Sequence, residues 1–450
     1  MSHLSVAKFG GTSVANYPAM QSCANIVIAD PNTRVVVLSA SAGITNLLVA
    51  LANGCEEPER NKLLNEVRQI QENILTALKD DSRVRPKIEA LLANITSLAE
   101  AANLATSLAL TDELISHGEM MSSLIFVEVL RELQIEATWL DVRTIVATNS
   151  HFGKAAPNDE QTRQNCDNLL KPLIERGELV ITQGFIGRDE QGKTTTLGRG
   201  GSDYSAALLA EVLNAQDVLI WTDVAGIYTT DPRVVPNAQR IDTMSFSEAA
   251  EMATFGAKVL HPATLLPAVR SNIPVYVGSS KAPQDGGTWV TRNPQPRPTF
   301  RAIALRRDQT LLTLSSLNML YAQGFLANIF TILAKHKISV DTITTSEVSV
   351  ALTLDKTGSA SSGASLLSEE LLRELSEFCT VKVDVGLSLI ALIGNELHTA
   401  SGVAKRIFET LDAYNIRMIS YGASTNNICL LADSDKADDI VRVLHRSLFE

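Results

Sequence analysis

Cysteine is scarce in this chain of 450 residues. The five present (Cys23, Cys55, Cys166, Cys379, Cys429) are scattered, odd in number and without a CxxC pair. That speaks against a disulfide framework and for reduced thiols in cytosol. Basic residues are outnumbered, 39 Lys and Arg against 50 Asp and Glu, for a net charge of -11. A nucleic-acid binder would usually carry a basic stripe, so that class is disfavoured. Anionic small substrates remain open, because a few local cations suffice for them. Apolar runs are short: none reaches the roughly 18 residues of a membrane span, so no membrane contact is expected. The start, MSHLSVAKFGGTS, lacks the layout of a signal peptide and enters a strand almost at once. Metal-ligand spacing is missing around His117 and His261, so both read as structural and no protein-held metal is expected. What remains is 45% hydrophobic and 20% charged, the profile of a soluble globular protein of two or three domains.

The first part of the chain alternates strands with helices. LSVAK at 4–8 reads as a strand, Asn16 to Ala29 as a helix, and RVVVL at 34–38 as a strand buried on both faces. Residues 56–109 read as a helical pair, and a third helix covers about 112–133. Strands follow near 137–142, 178–185, 217–221 and 273–279, with a helix near 246–256. The pattern predicts a three-layer α/β/α domain. Four apolar strands end in small or polar residues, KFGGTS, SASAGIT, TQGFIG and WTDVAG, where open α/β sheets hold ligands. Residues 282–300, rich in Pro and Gly, read as a linker. Beyond it lies an internal repeat: Gly324 matches Gly402, 78 positions later, and the same shift pairs Ile329 with Ile407, Leu333 with Leu411 and Leu352 with Leu430. Each copy reads as a helix followed by two strands, a tandem of small α+β modules.

The stretch at 194–210, TTTLGRGGSDYSAALLA, combines three threonines, three glycines, an arginine and a helix start. Ala206, Leu209, Ala210 and Leu213 follow the spacing of a buried helix face, with Ser202 or Asp203 as N-cap. A helix N-terminus with glycines before it receives anions, and Arg199 adds a fork suited to a carboxylate or phosphate. The alternative reading is a glycine turn before a core helix with a surface arginine. Just upstream, residues 187–194 fit the P-loop expression GxxxxGK[ST], yet TTTLGRGG rather than a helix follows the lysine, and Asp189 and Glu190 would repel phosphate. A polar hairpin fits better.

Lys8 stands before Gly10 and Gly11, a cation beside flexible amides that can cradle a phosphate. Glu119 follows Gly118 inside a helix. A mid-helix glycine costs about 1 kcal/mol against alanine, so it has a packing or functional reason. Either Glu119 receives an ammonium group there or it is a solvated glutamate. Thr222 and Asp223 end a buried strand, Tyr228 and Arg233 lie in the irregular loop after it, and Lys258 stands two residues after Gly256.

Taken together, KFGGTS at 8–13, SAGITN at 41–46, HGEMMS at 117–122, TTTLGRGGSDYSA at 194–206, WTDVAGIYTTDPR at 221–233 and FGAKVLHP at 255–262 resemble, in order, the signatures of the aspartokinases of the amino acid kinase family. The tail resembles the paired ACT modules of those enzymes, most closely their single-function, lysine-sensitive branch. The resemblance implies a catalytic domain at 1–293 and a regulatory region at 294–450. Its first ACT module would span about 312–385 and its second about 386–450, with a strand from 299–311. It implies ATP-dependent phosphorylation of the side-chain carboxylate of L-aspartate to 4-phospho-L-aspartate, the first step toward lysine, threonine and methionine, with Mg²⁺ arriving on ATP. Lys8, Asp203 and Lys258 would be catalytic. Thr45, Glu119, Arg199, Gly200, Gly201 and Ser202 would hold the substrate. Lys8, Gly10, Gly11, Thr222, Asp223, Tyr228, Arg233, Lys258 and Val259 would line the nucleotide site. L-lysine would bind Met319, Ala322, Gly324, Phe325, Leu326, Ser339, Val340, Asp341, Thr345, Ser346 and Glu347 in a cytoplasmic homodimer formed through the ACT modules. The alternatives are a kinase of the same fold with another carboxylate acceptor, and an amino-acid sensor built on the tail.

Overall fold

A computed structural model of the chain describes residues 3–256, 260, 265–317, 319, 323–355 and 367–450. The chain divides into two compact units. The first holds residues 1–227, 240–250 and 258–295, and the second holds 228–239, 251–257 and 296–450. The last division between the units falls at 295–296, against the 293–294 expected from the sequence, and two segments upstream of it belong to the second unit.

The first unit is built on strands β1 (Ser5–Phe9), β2 (Thr33–Leu38), β3 (Thr138–Trp139), β4 (Val180–Gln183), β7 (Asp217–Thr222), β8 (Thr243–Ser245), β9 (Val275–Ser279) and β10 (Gly287–Thr291), with β5 (Ile186–Arg188) and β6 (Thr194–Thr196) forming a separate hairpin. The main sheet runs β3-β4-β2-β1-β7-β9-β10-β8, parallel from β3 through β9, with β10 antiparallel to β9. The stretch read as a linker at 282–300 thus contributes β10, whose alternation of Thr288 and Val290 inward lets it extend the sheet. The hairpin reading of 187–194 holds: β5 and β6 pair antiparallel around a turn at 189–192, and no helix follows the lysine.

The helices are α1 (Tyr17–Ala29), α2 (Ile44–Ala52), α3 (Glu57–Leu75), α4 (Arg85–Leu104), α5 (Leu108–Glu132), the short α6 (Asp159–Asn165) and α7 (Lys171–Glu175), α8 (Gly201–Leu213), α9 (Phe246–Thr254) and α10 (Leu266–Ser271). Alternation along the strands sorts them. Ala7, Phe9, Val36 and Leu38 point into one large core with α1 to α5. Val6 and Lys8 point to the opposite face, where α8 packs on β1. The apolar stripe expected on α8 is wider than expected: every residue from Ser205 to Leu213 is buried.

In the second unit, β11 (Phe300–Ser315) and β14 (Thr380–Gly394) are long strands shared by two halves of one sheet, ordered β12-β13-β11-β14-β16-β15. One half packs α11 (Phe325–Lys335) and α12 (Glu369–Ser376) with β12 (Ser339–Thr345) and β13 (Ser349–Asp355) around Leu312, Ile329, Leu333 and Leu352. The other packs α13 (Val403–Thr410) and α14 (Ala437–Phe449) with β15 (Ile416–Ser420) and β16 (Asn427–Asp433) around Ile390, Ile407, Leu411 and Leu430. The repeated residues are the ones that face these two cores. Gly324 and Gly402 recur because both start a helix from the left-handed region, at φ 85° and 80°.

Segment 228–239 joins this unit through hydrogen bonds from the Ile303 N–H to the Thr229 carbonyl (2.7 Å) and from Arg442 Nε to the Val234 carbonyl (3.1 Å). Segment 251–256 joins it through Glu251, which accepts from Ser424 Oγ (2.8 Å) and Asn427 Nδ2 (2.7 Å).

The mid-helix Gly118 has a packing reason. A Cβ there would stand 2.7 Å from Ala40 Cβ and 3.2 Å from Ile44 Cγ2, so glycine is what lets α2 and the loop before it close on α5. Gly118→Ala gains about 1 kcal/mol of helix propensity but overpacks a full core at about 1–3 kcal/mol. The expected outcome is a lower denaturation midpoint. An unchanged midpoint would mean that α2 shifts freely.

Candidate functional site

The carboxyl ends of β1, β2 and β4 meet the start of α8 around a cleft of about 330 Å³. It is lined by Lys8, Gly11, the 39–43 loop, Thr45, Glu119, Phe185 and 198–203. Lys8 is buried within β1, and its ammonium Nζ lies 2.6 Å from Asp203 Oδ1 on the first turn of α8. A buried ammonium is costly unless it is paired, and Asp203 supplies the pair. The close approach of the loops depends on two glycines. A Cβ on Gly11 would stand 2.8 Å from the Ala40 carbonyl, and one on Gly201 would stand 2.7 Å from the Phe185 ring. Gly200, at φ 75°, takes the N-cap position that Ser202 or Asp203 was expected to fill. Those two residues lie inside the first turn instead, which frees Asp203 to face Lys8.

Glu119 is buried on α5. Its Oε1 accepts from the Ala40 N–H at 3.2 Å, and its Oε2 has no partner. Burial pushes its carboxyl up to about 8, partly offset by the Ala40 N–H. A group in this state gains most from a cation placed beside it, which would return it to the charged form. The same helix steadies the loop above it, since Ser122 Oγ donates to the Ser39 carbonyl at 2.8 Å.

Arg199 stands exposed between Gly198 and Gly200, both in the left-handed region. Among the described residues it is paired with no carboxylate, so its fork is free for a ligand. Phe185 holds φ 72°, a strained setting for a non-glycine residue, fixed by its N–H donating to Ser205 Oγ (3.0 Å) and its carbonyl accepting from Leu197 (2.9 Å).

The cleft therefore gathers Lys8, Gly11, Thr45, Glu119, Arg199, Gly200, Gly201, Ser202 and Asp203, with Gly10 adjacent: a Cβ there would lie 3.6 Å from Lys8 Nζ. Thr222 ends β7 and Asp223 follows it in the same unit, but neither lines the cleft. Tyr228 and Arg233 belong to the second unit, where Asp231 holds the Arg233 guanidinium at 2.7 Å. Lys258, Val259 and His261 lie outside the described residues. His117 is buried, with Nδ1 against the Glu113 carbonyl, as a structural histidine would be. Among the described residues no three His, Cys, Asp or Glu side chains gather as a metal group.

Of the expected lysine set, Gly324, Phe325 and Leu326 start α11, and Ser339, Val340, Asp341 and Thr345 lie on β12. Ser346 and Glu347 follow in the turn, Met319 packs on the core beside α11, and Ala322 lies outside the described residues. Asp341 is engaged by Arg306 at 2.9 Å, so its carboxylate is already paired with a guanidinium. Sequence reasoning missed Ser41 and Phe185. Ser41 Oγ is buried in the cleft wall without a partner. Its motif was visible, but its orphan hydroxyl appears only once the loop is folded.

Comparison with known proteins agrees with this architecture. The family model described as "Amino acid kinase family" matches residues 3–279, and one described as "ACT domain" matches 390–448. The chain is 62% identical over 450 residues, all of both chains, to the lysine-sensitive aspartokinase 3 of Escherichia coli (strain K12). It superposes over all of both chains on the crystal structure of E. coli aspartokinase III in complex with aspartate and ADP (R-state), with TM-score 0.89 and 61% identity. The structure of the same enzyme in complex with lysine and aspartate (T-state) matches at TM-score 0.87, again over all of both chains and at 61% identity. With a parallel sheet whose strand ends gather a paired lysine, an unsatisfied buried glutamate and a free arginine, and with this likeness over its whole length, the chain belongs to the amino acid kinase family, among its aspartokinases.

Proposed function

We propose that this chain transfers the γ-phosphoryl group of ATP to the side-chain carboxylate of L-aspartate, giving 4-phospho-L-aspartate and ADP, under inhibition by L-lysine. The observation that carries this reading is the gathering of Lys8, Asp203, Glu119 and Arg199 in one cleft. The relative crystallised with aspartate and ADP, and with lysine and aspartate, supports the same substrates and effector here.

A carboxylate with an ordinary pKa near 3.9 is already a nucleophile at pH 7, so the reaction needs no general base. A side-chain oxygen attacks the γ-phosphorus, and the bond from that phosphorus to the ADP oxygen breaks. Catalysis rests on positioning and on charge neutralisation. Lys8, oriented by Asp203, meets the transferring phosphoryl oxygens, with Lys258 as the second cation. Arg199 grips the substrate α-carboxylate and Glu119 its α-ammonium. The ammonium returns the Glu119 carboxyl to its charged form. Thr45 and the amides of Gly200, Gly201 and Ser202 complete the cradle. Gly10, Gly11, Thr222, Asp223, Tyr228, Arg233 and Val259 serve the nucleotide, and Mg²⁺ accompanies the ATP phosphates.

Regulation belongs to two ACT modules in the second unit, acting in a cytoplasmic homodimer. Exposed apolar side chains there (Ile343 38%, Val385 72%, Ile419 39%, Tyr421 43%) support a protein interface. Lysine binds at the α11 start and β12. Asp341 and Glu347 receive its ammonium groups, and the helix N-terminus near Gly324 receives its carboxylate.

Three outcomes test this reading. Lys8→Ala lowers kcat by about 10²–10³-fold while nucleotide binding weakens far less; retention of more than a tenth of the rate removes Lys8 from the transition state. Arg199→Lys raises KM for aspartate and not for ATP, because an ammonium cannot reproduce a bidentate fork. The reverse split would move Arg199 to the nucleotide. Rising lysine inhibits the intact chain and threonine does not, and Asp341→Ala blunts the lysine response. Lysine inhibition undiminished in Asp341→Ala would place the effector elsewhere.

A further inference from the structure

The three threonines before the glycine turn have no part in the chemistry above, yet each is locked from a different direction. Arg143 Nη1 donates to Thr194 Oγ1 at 3.0 Å. Thr148 and Thr195 share a hydroxyl–hydroxyl bond of 2.6 Å. Thr196 donates both its N–H and its Oγ1–H, each at 2.8 Å, to the two carboxylate oxygens of Asp112. The Gly153 N–H reaches the same carboxylate at 2.9 and 3.1 Å. Asp112 is 1% exposed, and none of these three donors carries a charge. A buried carboxylate held by uncharged donors alone is a costly feature, and a core built only for stability would do better with an apolar side chain there.

Its position suggests what the cost secures. Asp112 and Glu119 stand seven residues apart on α5, two turns, so they share one helix face about 10.5 Å apart along the axis. Thr196 lies three residues before Arg199. The Ala155 N–H bonds to the Thr196 carbonyl at 2.8 Å, which ties loop 149–157 to the same point. Gly198 lies under that loop, where a Cβ would stand 3.4 Å from the Gly153 carbonyl. One rigid helix therefore carries Glu119 at one point and anchors the root of the Arg199 loop at another.

We propose that Asp112 is a positioning residue for substrate recognition. By clamping Thr196 and Gly153 to α5, it sets the distance between the Arg199 guanidinium and the Glu119 carboxylate, and so matches the site to an α-amino acid. The inference rests on assigning Arg199 and Glu119 to the two α-groups of aspartate. Asp112→Asn keeps the shape but turns one acceptor into an amide donor facing other donors. A displacement of the order of 1 Å at a positioned group can cost about 10²-fold. The expected result is a fall of about 10- to 100-fold in kcat/KM for aspartate, with KM for ATP within about twofold.

The decisive measurement is the cycle with Arg199→Ala. If Asp112 acts through Arg199, Asp112→Asn adds nothing to the aspartate defect in the Arg199→Ala background, and a purely structural residue gives additive losses. Should Asp112→Asn fail to fold, Thr196→Val, which removes only the hydroxyl contact, takes its place in the cycle. The expected result is then a smaller loss, about 3- to 10-fold, again confined to aspartate. Equal weakening of ATP and aspartate, no effect on aspartate in a folded variant, or additivity in the cycle each overturns the proposal. An unchanged aspartate response in Arg199→Ala alone would instead overturn the assignment of Arg199 on which it rests.

Discussion

A cation buried in a parallel sheet is the constraint on which the active cleft depends. Lys8 lies on the α8 face of β1, with only 11% of its side chain exposed, and it is tolerable there because Asp203 stands 2.6 Å away. That requirement fixes where α8 begins. Its first turn must approach the β1 end closely enough to bring Asp203 to the ammonium. The approach leaves no room for side chains: a Cβ on Gly184 would stand 2.6 Å from Ser202 Cβ, and Gly200 must hold the left-handed region. The glycines of this segment are thus consequences of an ion pair. Once Lys8 is held in place, a fixed positive charge stands at the carboxyl end of β1 beside the first turn of α8.

Helix α5 plays the complementary part. It is a 25-residue helix with a nearly continuous buried stretch from Leu114 to Leu130. Burial keeps it rigid, and its functional side chains stand at fixed rises along one axis. Gly118 admits the 40–44 loop, Glu119 accepts from the Ala40 N–H, and Ser122 holds the Ser39 carbonyl. A carboxylate with only one N–H partner in a buried setting is unstable as charge, which is why its carboxyl is pushed up to about 8.

The second unit shows duplication reused. Two copies of a helix-strand-strand element share the long strands β11 and β14, so each half builds its own core while the sheet stays continuous. Residues 228–239 and 251–256 group with this unit although they lie between stretches of the first unit in the chain. A segment carrying Tyr228 and Arg233 is therefore tied to the second unit by the Ile303–Thr229 and Arg442–Val234 hydrogen bonds.

The sequence by itself determined the periodic features. Continuous apolar runs such as RVVVL became central parallel strands, because a strand covered on both faces has no polar side to show. The tandem repeat was legible because both copies need the same residues inward, and the 187–194 hairpin because its charges and missing helix contradict a phosphate loop. Glu119, Lys8 and Arg199 were legible as motif residues. Tertiary structure alone decided how they work. No local pattern shows that Asp203 faces Lys8 rather than capping its own helix, since that follows from alternation along β1 and from the packing of α8. Nor could spacing reveal that β10 joins the sheet, that 228–239 leaves the first unit, or that Thr196 answers to Asp112 from 84 positions away. These are contacts between distant segments, and their energy depends on geometry that exists only once the chain has closed on itself.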